Sequence, residues 1–256
     1  MSPGMARGEA VLDPRLAGAR QMLSRVRAVV PVMSAKGGVG KTLVAVIAAL
    51  HAARRGRRTG LLDLDVTSPS AHIALGVDPG SLQPEEKNGV VPPLVAGVRF
   101  MTVAYYTWDR PTPLRGQAVD DAIREVLAVT NWGELDLLIV DTPPGLRDEA
   151  LDTLEYLPDP RVVAVATPSR LARAGVERLL ALLEEQGQPR YLLVNMYAGG
   201  DGLEDLAEKY GARYLGRVRL DPSVEEALGD PEKLLSTGMA RDVAEAVDRL
   251  LEDLGI

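Results

Sequence analysis

The chain has 256 residues, 46% of them hydrophobic and 25% charged, so it can bury a core without disulfides or a structural metal. It has no cysteine and only two histidines, His51 and His72, which excludes thiolate zinc sites, thiol nucleophiles, a cluster ligated by its own cysteines and a multi-histidine centre. A net charge of -7, a pI near 5.0 and 4% aromatics argue against a nucleic-acid coat or a base-stacking platform.

Residues 1–27 read as an N-terminal extension with a helix over Pro14–Arg27, and residues 28–256 as one unit. Met1–Val11 has no apolar secretory core, and the longest apolar runs, such as Leu43–Leu50, fall well short of the roughly 18 to 20 residues of a membrane span. The expected location is the cytoplasm. Strand-like apolar runs then follow at Ala28–Met33, Thr59–Leu64, Val98–Tyr105, Leu135–Val140, Val162–Ala166 and Tyr191–Asn195. Amphipathic stretches at Thr42–Arg54, Gln117–Val129, Arg170–Glu185, Leu203–Lys209 and Ala240–Asp253 read as helices. The proline-rich segment Asp78–Pro93 reads as a surface loop or small hairpin. Strands apolar on both faces, alternating with helices, predict an α/β fold: a mostly parallel central sheet covered by helices on both sides.

The strongest motif is Ser34-Ala35-Lys36-Gly37-Gly38-Val39-Gly40-Lys41-Thr42, between a strand and a helix. Glycines let successive backbone N–H groups turn inward around an anion, and the helix N-terminus adds its positive end. The reading is a P-loop of the deviant Walker A form, with Ala35 in place of the usual first glycine and Lys36 as an extra lysine. Gly37, Gly38, Val39, Gly40, Lys41 and Thr42 form the nucleotide cradle. Lys41 is assigned to the β/γ-phosphates and the Thr42 hydroxyl to Mg²⁺. Five lysines serve the whole chain against 24 arginines, and two of the five sit in this loop.

Two carboxylate clusters end later strands, where α/β sheets bind ligands. Asp141, after four apolar residues, has the form of a Walker B aspartate that holds Mg²⁺. Asp65 is assigned to orienting or activating the attacking water, and Asp63 either to the surroundings of the metal or to a switch. Other charged groups read as structural. His51 fits a helix edge, His72 lies just past Pro69-Ser70, and Arg54, Arg55, Arg57 and Arg58 fit a solvated helix C-terminus. The last helix is acidic, so it lacks the basic face of a membrane anchor.

With KGGVGKT, DLDVTSPS, NWGELDLLIVDTPPGLRDE and LLVNM together, the chain resembles the Mrp/ApbC family of P-loop ATPases from about Val26 to Leu251. That family lies in the deviant-Walker-A group with MinD, ParA and the nitrogenase iron protein. The resemblance implies an ATP- and Mg²⁺-dependent homodimer with nucleotides at the subunit interface and an unidentified client. It also implies that Lys36 reaches across the interface to the partner's phosphates, and that Asn195 hydrogen-bonds the adenine edge. Two departures stand out. Cluster-carrying members have Cys-x-x-Cys beyond Asn-Met, whereas here Asn195-Met196 runs into Tyr197-Ala198-Gly199-Gly200-Asp201, and Val218-Arg219 replaces Ile-Pro. The expectation is a slow dimeric ATPase resembling assembly ATPases for iron–sulfur clusters. The alternatives are a ParA/MinD-like positioning ATPase and a nucleotide-gated scaffold.

Overall fold

The computed structural model describes residues 13–107, 116–146, 148–200 and 202–256; the Met1–Val11 reading and Asp201 fall outside them. Helix α1 (Pro14–Leu23) begins with the right chemistry, Pro14 in its first turn and the Asp13 carboxylate accepting the Arg15 N–H. After it come β1 (Val29–Met33), α2 (Lys41–Arg54), β2 (Thr59–Asp63) and α3 (Ala71–Leu75). The predicted hairpin is present as β3 (Glu85–Glu86) paired antiparallel with β4 (Val90–Val91). Short β5 (Leu94–Val95) then leads to β6 (Val98–Thr102) and α4 (Ala104–Thr107). The remaining elements are α5 (Gln117–Val129), β7 (Leu137–Asp141), α6 (Asp148–Tyr156), β8 (Val162–Ala166), α7 (Arg170–Glu185) and β9 (Arg190–Tyr197). The chain closes with α8 (Glu204–Lys209), β10 (Arg213–Arg219), α9 (Val224–Ala227), α10 (Pro231–Ser236) and α11 (Gly238–Leu254).

Eight strands form one sheet in the order β10-β9-β8-β1-β7-β2-β6-β5, parallel throughout except for the β5–β6 pair at one edge. All of β8 is buried, and its side chains alternate between the two faces of the sheet, as the pleat requires. Val163 and Val165 pack with Val44 of α2 and Val243 and Val247 of α11. Val162, Ala164 and Ala166 pack with Leu179 and Leu183 of α7 and Leu206 of α8. Helices therefore cover both faces, and the expected α/β architecture is present. Among the described residues, no helix is long and apolar enough to cross a membrane.

Three differences from the sequence reading have local causes. The run Val98–Tyr105 is not one strand: the chain turns after Thr102, whose hydroxyl accepts the Ala104 N–H at 3.3 Å, and α4 begins. Helix α1 ends at Leu23 rather than Arg27, and it packs on α5 with Ala19 and Leu23 buried in the main core. Strand β10 is absent from the expected strands, because as a sheet edge it carries arginines rather than an apolar run. There Arg213, Arg217 and Arg219 pair with Asp253, Glu204 and Asp242, a charged rim that discourages pairing with another chain.

One close approach ties α3 to the C-terminal part of the chain. Gly76 caps α3 at φ +67°, and a Cβ there would lie 2.1 Å from the Gly229 carbonyl oxygen. Gly229 also donates its N–H to the Ala74 carbonyl at 3.2 Å. Gly76→Ala is expected to lower stability by about 2 to 4 kcal/mol, from the left-handed backbone and the displaced neighbour together. Urea unfolding measures this, and a change below about 0.5 kcal/mol, the scale of a neutral surface substitution, would show that the contact is dispensable.

Candidate functional site

Parallel strands bring their carboxyl ends to one edge of the sheet. The chain leaves β1 for β2 on one side, beyond β7, and enters β8 on the other side. The loop after β1 thus opens at the point where strand order reverses, the place such sheets offer to ligands. Residues 34–40 form this loop, with Gly38 at φ +76° and Gly40 at φ +77°, values that L side chains rarely adopt. Gly40 is the N-cap of the 14-residue helix α2 and offers no side-chain cap. The first N–H groups of α2 are thereby left for an anion.

Ala35, standing where a glycine is usual, fits because it faces Gly175 of α7: a Cβ on Gly175 would lie 2.9 Å from the Ala35 methyl. The segment after β7 packs on the same loop. The Thr142 hydroxyl donates to the Val32 carbonyl at 2.9 Å, and the Gly145 N–H donates to the Ser34 carbonyl at 3.0 Å. Neither Ser34 nor Thr142 was singled out from sequence. Adjacency to the loop and to Asp141 was the only signal available for either.

Lys41, 7% exposed, forms an ion pair with Asp141 Oδ1, while Asp141 Oδ2 is buried with no hydrogen-bond partner. An unpartnered buried carboxylate oxygen beside a phosphate loop is the donor chemistry of a hard divalent cation. Thr42, half-buried in the first turn of α2, is the second residue that fits such an ion. Asp63 lies directly across from Asp141 in the β2–β7 register, and both are fully buried. Its oxygens are already engaged: Oδ1 accepts the Asp65 N–H, and Oδ2 accepts those of Ser70 and Ala71 at 3.2 Å. Asp63 thus organises the loop that carries Asp65. Burial, and then the neighbouring Asp141 carboxylate, pushes Asp63 up to about 7.

Asp65 is half-buried in that loop and accepts the Thr67 hydroxyl at 2.9 Å and the Ser68 N–H at 3.1 Å. Lys36 is exposed on the outer turn of the phosphate loop. Asn195, expected at the adenine edge, is 1% exposed, and its side-chain amide donates to the Val39 carbonyl at 2.8 Å. His51 faces Asp248 of α11 at 2.9 Å, and His72 is buried on α3. Three of the four clustered arginines have carboxylate partners: Arg54 with Glu232, Arg55 with Asp248, and Arg58 with Glu134 and Asp136.

Over residues 25–255 the chain matches the family model described as ParA: NUBPL iron-transfer P-loop NTPase. An iron-sulfur cluster carrier protein of Methanococcus maripaludis is 33% identical over 263 residues, covering 94% of this chain and 90% of the relative. The nucleotide-binding protein from Archaeoglobus fulgidus, solved in complex with ADP, is similar with a TM-score of 0.72 at 27% identity, covering 86% of this chain and 92% of that one. The septum site-determining protein MinD of Pyrococcus horikoshii, complexed with Mg-ADP, shares the fold with a TM-score of 0.65 at 17% identity, covering 87% and 95%. The chain belongs to the ParA-type family of iron-transfer P-loop NTPases.

Proposed function

We propose that this member of the iron-transfer P-loop NTPase family is an ATP-hydrolysing switch that works as a homodimer with nucleotide at the subunit interface. The observation that carries the reading is the meeting of Lys41 with Asp141 under an uncapped α2 N-terminus, with one Asp141 oxygen left unpartnered. In this reading the backbone N–H groups from Gly37 to Lys41 receive the phosphates. Lys41 gives up the Asp141 carboxylate for the β/γ-phosphate oxygens. Thr42 and Asp141 would hold Mg²⁺, whose contribution is to neutralise charge on those oxygens. Asp65 orients the attacking water. Catalysis of this kind consists of positioning and charge compensation, so the chain needs no covalent chemistry of its own.

Lys36 completes the argument for a dimer. It is exposed and makes no ion pair with another of the described residues, which leaves its charge available to a second subunit. The relative from Methanococcus maripaludis is called an iron-sulfur cluster carrier, so the client of this chain is sought among proteins that handle such clusters. Light scattering and single-turnover hydrolysis with Mg-ATP test the proposal together. The parent is expected to dimerise and hydrolyse. Lys36→Ala is expected to bind nucleotide with little change but to lose most dimerisation and hydrolysis. A variant that behaves like the parent removes the role across the interface, and a parent that stays monomeric with Mg-ATP removes the dimer.

A further inference from the structure

We infer that Asn195 is a positioning residue for the phosphate loop, one that aims the Gly40 N–H by holding the carbonyl before it. The Asn195 amide donates to Val39 O at 2.8 Å from a strand two places away in the sheet, across a separation of 156 residues. Strand β8 lies between β9 and β1, so the bond is a brace across the carboxyl edge rather than a sheet contact. Donor and acceptor both lie on buried residues, Asn195 at 1% and Val39 at 2% exposure, where water does not compete.

The peptide between Val39 and Gly40 is planar and trans, so its C=O and N–H point in opposite directions. Fixing the Val39 carbonyl toward Asn195 therefore directs the Gly40 N–H away from β9. The loop is built around this contact. A Cβ at Gly40 would lie 2.4 Å from Asn195 Nδ2 and 3.4 Å from Met196 Cε, so glycine is required for space as well as for its φ of +77°. Met196 itself has φ +55°, a left-handed backbone that L residues rarely adopt. Such an outlier persists where surroundings enforce it. It follows Asn195 directly and sets its own side chain against Gly40.

This role differs from a contact to a nucleotide base, and it rests on the proposed nucleotide site. The probes are therefore Mg-tripolyphosphate, which has no base, Mg-ATP and Mg-GTP, with affinities measured by calorimetry on the full chain. Asn195→Ala is expected to weaken all three by a similar factor of about ten, the scale of one buried hydrogen bond whose acceptor is left unpaired. Thermal unfolding checks that the variant folds; if it does not, Asn195→Ser, with a smaller cavity, is measured in the same way. Loss confined to ATP, with tripolyphosphate unchanged, would overturn the inference in favour of a base contact. Three unchanged affinities would overturn it outright. A parent chain that binds none of the three would remove the nucleotide reading first, and this role with it.

Discussion

Lys41→Ala is expected to abolish measurable binding of Mg-ATP, with affinity falling on the order of 100-fold or more, because a charged hydrogen-bond donor to the phosphates is lost. The same change should act on stability. Lys41 is the cation paired with Asp141, and Asp141 sits in register with Asp63, both fully buried. Removing one partner of a buried pair leaves an uncompensated charge, which costs about 3 to 5 kcal/mol. The two effects separate in the double variant Lys41→Ala, Asp141→Asn. There the Asp141 charge is gone, so thermal stability should recover most of the loss while binding stays absent. Calorimetry below the melting transition measures the first effect, and thermal unfolding the second. Unchanged affinity in the single variant would defeat the phosphate-site assignment.

Anaerobic reconstitution with iron and sulfide is expected to leave the chain without a stable iron–sulfur cluster, although its relative is called a cluster carrier. Cluster iron takes thiolate or, less often, imidazole ligands, and the whole chain supplies no cysteine and two histidines. Those two are engaged apart from each other: His51 faces α11, and His72 is buried on α3. The segment after Asn195-Met196 is organised by other means. The Tyr197 hydroxyl donates to the Gly200 carbonyl at 3.1 Å, the Arg217 guanidinium lies 4.7 Å from the centre of the Tyr197 ring, and the Tyr214 hydroxyl donates to the Gly202 carbonyl at 3.1 Å. Iron and sulfide analysis after gel filtration is the measurement. Stoichiometric iron with a cluster absorption band would show that ligands come from outside the chain, from a small thiol or a second protein. Absence of a cluster in a chain that still binds nucleotide would place the cluster ligands of any transfer on the client.

Much of this protein is legible along the chain. The strand–loop–helix around Lys41 and the strand-terminal Asp63 and Asp141 are local patterns, and local chemistry dictates them. Glycines permit the left-handed turns, and apolar runs such as Leu137–Val140 demand burial on both faces. Proximity was not legible. That Asp63 stands opposite Asp141, that its oxygens are already taken by the Asp65, Ser70 and Ala71 N–H groups, and that the Lys41 charge meets Asp141 at the end of β7 follow from the tertiary arrangement. Strand β10 escaped the sequence because an edge strand carries charged, exposed residues among few buried ones, and its arginines read as loop. Asn195 is the clearest case. Its residue type and its place at a strand end were visible, but its partner is a backbone carbonyl 156 residues away, and backbone groups leave no mark in a sequence. The sequence by itself determined the fold class and the chemistry of the phosphate loop, because those depend on residue type and spacing. Which carboxylate oxygen stays unpartnered, and which amide holds the loop, depends on distances between distant strands, and only the folded chain decides those.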